Sequence, residues 1–257
     1  MRVNQILPLV PMIVFLALST SNMHGAELED LDFGLPQRID TDGRDSVGLK
    51  RDTQYFFAYQ WVTIGILYAA PESVSGWTDE QKEGYDMSNW WDNVTHPEID
   101  SDDFYINYVL HPYWGASYFV RAQERGYDTR ASFWYSALLS TMYEFGAEAL
   151  FEEPSIQDLI ITPTLGSLLG QYFMRVRADI RGREQELGYR ITKDKWLWVF
   201  TDPLGSLNQS VDKMFGRETR IQVRPFSYSI PRDHTMRPGP IARETEIVYG
   251  LSFQLQW

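Results

Sequence analysis

Between Asp103 and Gln171 the chain reads DFYINYVLHPYWGASYFVRAQERGYDTRASFWYSALLSTMYEFGAEALFEEPSIQDLIITPTLGSLLGQ, three long apolar runs interrupted by His111, Glu144, Glu148, Glu152, Glu153 and Asp158. Apolar runs of this length have to be buried, and an ionisable group buried with them must be paired, protonated or bound. The stretch therefore admits few folds other than one in which the runs pack together and their polar groups meet.

Each run carries helix signals. The first spans about Asp103 to Arg125 and stops at Gly126, a natural C-cap. Within it, His111-Pro112 predicts a break, because a proline ring clashes with the preceding turn and leaves a carbonyl without its donor. Gly115 lies on the same face four residues on, where a missing side chain lets another backbone approach. A second helix over Ser132 to Phe151 sets Ser136, Ser140, Glu144 and Glu148 at steps of four, a polar stripe on an aromatic and aliphatic helix. Such a stripe faces either water or other polar groups. After Pro154, Ser155 with Asp158 three residues later is a capping-box start for the third helix. Farther along, Gly166 and Gly170 have the small-xxx-small spacing of closely packed helices. Short connections at Gly126 and Pro154 make the three an antiparallel bundle.

Around this centre the chain changes character several times. Glu27 to Asp52 has no regular period and reads as an irregular lead-in. Thr53 to Ala70 is uncharged but rich in Gln, Thr and polar-tipped aromatics, so it suits a buried or interfacial helix ended by Pro71 better than a membrane span. A long segment follows from Glu72 to Asp103, with a short helix expected near Thr78 to Met87 and tryptophans to pin it down. Within it His96, preceding Pro97, reads as a surface loop residue. Arg175 to Lys195 is a basic island in which Arg175, Arg177, Arg181 and Arg183 are candidates to meet anionic lipid headgroups, against the plainer reading of a solvated face with mixed charge pairs. Lys195 to Gly216 predicts an apolar segment, a turn at Asp202-Pro203 and a short helix.

Beyond Gly216 the period becomes two. Ile247, Tyr249, Leu251, Phe253, Leu255 and Trp257 alternate without fault, and Ile221, Val223, Tyr228 and Ile230 form a weaker partner. A last strand with an aromatic end is similar to the assembly signal of outer-membrane barrels, but two strands fall short of the eight a single-chain barrel needs. The expected fold is thus mainly α, an antiparallel helical bundle with a small C-terminal antiparallel β hairpin, divided as signal peptide 1–26, lead-in 27–52, helical domain 53–216 and hairpin 217–257.

The address is read from the first residues. Arg2, the apolar run Ile6 to Leu18 and the small polar Ser19-Thr20-Ser21 form a secretory signal, so export to the periplasm or outer membrane of a Gram-negative bacterium is expected. With no cysteine there is neither a lipid attachment site nor a disulfide. A net charge of -12 argues against nucleic acid, whose phosphates require a dense basic surface. Fifteen tyrosines and nine tryptophans point instead to interfaces and cleft walls, with membrane lipid or an envelope component as partner.

Several strings in one order, PESVSGW (Pro71 to Trp77), INYVLHPYWGASYF (Ile106 to Phe119), YEFGAEALFEEPSIQDLIITP (Tyr143 to Pro163) and DPLGSLN (Asp202 to Asn208), resemble the DUF3943 family of uncharacterised exported Gram-negative proteins. The resemblance implies a family and no activity. The order His111, Glu144 or Glu148, Ser155-x-x-Asp158, Thr162 or Thr164, Gly166, Gly170 is also similar to VanZ-like envelope membrane proteins.

If His111, Glu144, Glu148 and Asp158 converge, two chemistries are open. A carboxylate beside an imidazole fixes its tautomer and suits general acid-base catalysis on a lipid or glycolipid, with Ser140, Ser155 or Thr162 as hydroxyls, although none lies in a G-x-S-x-G elbow. Alternatively the group is a satisfied polar network that specifies packing. Without an H-E-x-x-H motif no metal or cofactor is expected, although carboxylates with one histidine suit a hard cation.

Overall fold

A computed structural model describes residues 43–72, 78, 87–99 and 104–215, together with the backbone of 220–231 and 245–256. The signal peptide, most of the lead-in, Trp77, most of the short helix expected over 78–87, and Gly216 lie outside the described residues. What is described is mainly helical. The elements are α1 (Ser46–Ala69), α2 (Met87–Thr95), a π turn (Ile106–Leu110) leading into α3 (His111–Glu124), α4 (Thr129–Met142) running into a second π turn (Tyr143–Ala147) and a 3-10 turn (Glu148–Leu150), then α5 (Ile156–Leu187), α6 (Thr192–Thr201) and α7 (Pro203–Phe215).

Helix α1 begins inside the stretch expected to be irregular. The Asp45 carboxylate accepts the Gly48 backbone N–H at 2.8 Å, an N-cap that starts the helix seven residues before Thr53. Helix α3 does not break at His111-Pro112. Leu110 (φ -72°, ψ -48°) and His111 (φ -60°, ψ -49°) are both helical, and the His111 N–H bonds to the Ile106 carbonyl five residues back. A single wide turn thus absorbs the frame shift that proline would otherwise convert into a kink. Gly126, at φ +81°, closes the helix as expected. Asp128, whose carboxylate accepts from the Ala131 N–H, starts α4 earlier than Ser132.

Helix α5 is 32 residues long and passes straight through Pro163. Ser155 caps it by accepting the Asp158 N–H at 3.0 Å, and Gly188 ends it in the left-handed conformation. Helices α3, α4 and α5 pack on one another as the centre, with α6 against α5 and α7 against α1, α3 and α6. The α3–α5 contact is backbone against backbone. A Cβ at Gly115 would fall on the Thr162 carbonyl oxygen, one at Gly166 would lie 2.7 Å from Gly115, and one at Gly170 would lie 2.7 Å from the Phe119 ring. All three glycines therefore do what close packing requires.

A second core is ionic. Arg125 donates to Asp45 at 2.8 Å and to both oxygens of Asp52, and Arg121 pairs with Asp202 and, at 3.5 Å, with Asp52. Asn208 donates to Asp52 at 2.8 Å and accepts from the Tyr59 hydroxyl. Tyr55 reaches Asp212, which Arg51 also meets at 3.1 Å. This lattice ties α1 and α7 to α3, and explains the DPLGSLN string: Asp202 caps α7 through the Gly205 N–H while its other oxygen meets arginine.

Candidate functional site

The polar stripe of the second helix faces inward. Ser136, Ser140, Glu144 and Glu148 are all buried, as is Ser132 one step earlier. Ser136 donates to the Gly115 carbonyl at 2.9 Å, so the stripe begins as glue between α4 and α3. Ser140 is buried a turn farther on. The helix then widens into its π turn, which carries Glu144, and tightens into the 3-10 turn, which starts at Glu148. Both of the described π turns therefore abut the site, one before His111 and one at Glu144. Such turns are uncommon and concentrate at functional positions, because they re-aim side chains that a regular helix would space evenly.

The carbonyls that these turns displace are taken up by α2. Trp90 donates its indole N–H to the Phe145 carbonyl at 2.9 Å, and Asn93 donates to that of Ala149 at 3.0 Å. Glu98 extends the cover by bridging to Ser155 and Ile156 at the start of α5. Of the tryptophans expected to pin the long segment, Trp90 does so over the site, whereas Trp91 is exposed. His96 is exposed, with Nδ1 near the Asp92 carbonyl, and takes no part.

His111, Glu144 and Asp158 come together from the start of α3, the second π turn and the first turn of α5. One donor atom from each lies within 4.8 Å of the others, and all three residues are buried. His111 Nδ1 stands 3.7 Å from Asp158 Oδ1 and 3.3 Å from the Thr162 hydroxyl. Glu144 Oε2 accepts the Ser155 N–H at 2.9 Å, so the capping serine is itself held by the site. Glu148 shares a hydrogen bond with Glu144. Burial, then the charges of Glu144, Glu152 and Asp158, push its carboxyl well above the usual carboxylate range. Tyr118 and Tyr143 wall the acids and are pushed up in turn, first by burial and then by the nearby glutamates.

Of the four arginines proposed to meet lipid, Arg177 is 2% exposed and cannot. Its guanidinium donates to Glu124 at 2.8 Å and to the Trp198 carbonyl at 3.0 Å, meets Asp202 at 3.5 Å and lies 3.6 Å from the Trp198 ring centre. Arg181 shares Glu124 and Arg183 grips Asp194 with two bonds, although both side chains stay partly exposed, and Arg175 is exposed. Paired charges on packed helices describe this island better than a headgroup surface. Sequence reading missed Arg121, Arg125 and Asp52 altogether. The signal was there: two arginines four apart on an otherwise apolar helix have to find buried acids.

Fold and site together define a class, a helical domain whose bundle encloses a histidine–carboxylate cluster beneath a tryptophan-pinned cover. Residues 96–204, which hold the whole cluster, match the family described as Domain of unknown function (DUF3943). The match spans the central helices and less than half of the chain. No curated protein and no solved structure matches the chain.

Proposed function

We propose that this is an exported cell-envelope protein that holds to a membrane at the periplasmic face of the outer membrane, by its surface rather than by a span. One observation carries the reading: the packed helices α4 and α5 expose Trp134, Leu138 and Met142 at steps of four, and Ile156, Ile160, Leu168 and Tyr172 on one face interrupted at Thr164. Apolar ladders of this extent on a soluble surface mark a contact site, and aromatic residues among them suit a lipid interface. Among the described residues no helix is long and apolar enough to cross a membrane. The N-terminal signal supports export. We further read residues 217–257 as a small antiparallel hairpin, supported by the period-two alternation and by a register that sets Ile221 opposite Leu255 and Val223 opposite Phe253.

Flotation with phosphatidylethanolamine–phosphatidylglycerol vesicles tests the membrane reading. The purified chain is expected to rise with the vesicles, and the double variant Trp134→Lys, Leu168→Lys to stay below with its circular dichroism unchanged. A wild-type chain that stays below overturns the reading.

A second reading is favoured by the approach of His111 to Asp158, the pairing an acid–base hydrolase or transferase of envelope lipid or glycolipid uses. Turnover of labelled envelope lipid by the wild type but not by His111→Gln supports it. Equal rates, or none with either, count against it.

A further inference from the structure

We propose that His111, Glu144 and Asp158 bind one divalent transition-metal cation of the zinc or manganese type. The inference is independent of membrane attachment. It starts from geometry: the three donor atoms lie within 4.8 Å of one another, and ligands about 2.1 Å from a tetrahedral metal lie about 3.4 Å apart, so side-chain movements on the order of an ångström close the site. Because the donors come from three separate elements, packing of the bundle presents them together rather than a flexible loop.

The donor set selects the ion. One imidazole nitrogen with carboxylate oxygens and no thiolate suits zinc, manganese or ferrous iron; calcium and magnesium prefer all-oxygen shells. An independent observation points the same way. Glu148 is 9% exposed, hydrogen-bonded to Glu144, and its Oε2 has no hydrogen-bond partner among the described residues. A buried oxygen without a partner beside the cluster is one that a water on a bound ion would satisfy. Asn107, one turn before His111, likewise keeps a buried Oδ1 without a partner among the described residues.

Comparison within the molecule strengthens the case. Asp45, Asp52, Asp202, Asp212 and Glu124 all face arginine. Here Asp158 faces His111, whose neutral ring can ligate a metal ion. The two π turns supply the local distortion that holds ligands off the regular helical lattice.

The test uses the full chain, stripped with EDTA and titrated calorimetrically with zinc or manganese chloride, followed by X-ray absorption of the loaded protein. One equivalent of either ion is expected, in a nitrogen–oxygen shell containing one imidazole and no sulfur. His111→Gln and Asp158→Asn should each weaken binding by more than about 100-fold, beyond the loss typical of an outer-shell partner. The Trp134→Lys, Leu168→Lys variant should bind as the wild type does, which separates this inference from the membrane reading. Folded wild type that takes up neither ion, a shell without imidazole, or unchanged affinity in both ligand variants overturns the proposal. Should a ligand variant fail to fold, the wild-type spectrum decides alone.

Discussion

At the scale of single residues the sharpest constraint is Gly115, whose Cα faces the Thr162 carbonyl across the α3–α5 contact. Gly115→Ala forces the two backbones apart at the level of His111. A loss of about 2–3 kcal/mol is expected in urea unfolding, at the upper end of overpacking costs. Gly146→Ala, where a Cβ meets nothing within 4 Å, serves as the control and should be close to neutral. Ser155 has two tasks, capping α5 and donating its backbone N–H to Glu144. Ser155→Ala removes only the first, so about 1 kcal/mol should be lost while Glu144 stays in place. Burial and the neighbouring acids push the Glu148 carboxyl well above the usual carboxylate range, so glutamine is a near isostere of its favoured neutral form. Glu148→Gln should therefore leave unfolding free energy within about 1 kcal/mol of wild type, measured in EDTA, a smaller change than loss of a structural charge produces.

At the scale of elements, α5 is fastened to α3, α6 and the start of α7 by one guanidinium. Arg177 reaches Glu124, Trp198 and Asp202 together, so Arg177→Ala takes one arginine from each of two acids, leaving Glu124 to Arg181 and Asp202 to Arg121, and empties a buried site against Trp198. A cost of roughly 3–5 kcal/mol is expected by chemical denaturation, the range seen when one partner of a buried pair is deleted. The same clamp sets a pH dependence. Burial by itself would raise Glu124, but Arg177, Arg181 and Arg121 outweigh it and hold the carboxyl down at about 2. A carboxylate depressed in the folded state stabilises at pH values above its unfolded value near 4.5, and that contribution is lost as the pH falls toward 2. Thermal melts should show stability falling across that window, with a shallower fall in Glu124→Gln. The π turns belong to this scale too: Trp90→Phe removes the donor to the Phe145 carbonyl and should cost about 1 kcal/mol in the same melts.

At the scale of the whole molecule, two interiors share one bundle, an arginine–carboxylate lattice toward α1 and α7 and a histidine–carboxylate cluster toward α2. Much of the second was legible in the chain. The stripe Ser136-Ser140-Glu144-Glu148, the Ser155 cap and the glycines at 115, 166 and 170 follow from helical periodicity and from chemistry within a few residues, and so did the mainly α fold. Local pattern also named His111 and Asp158 as members of a group. It could not bring them to the same point, because that depends on how α3 and α5 cross, and the crossing is fixed by a glycine on one helix meeting a carbonyl on the other. Nor could it see that the chain widens into a π turn at Tyr143–Ala147, since the compensating donors Trp90 and Asn93 stand some fifty residues from the carbonyls they satisfy. Arg177 shows the limit most clearly. A row of arginines looks the same in sequence whether it faces lipid or a buried acid, and only the position of Glu124 and Asp202 in space decides which. Sequence by itself determined where the helices are and which of their faces are polar, because propensity and period are properties of neighbours along the chain; tertiary structure alone decided which polar groups are partners, because pairing energies depend on distance and burial.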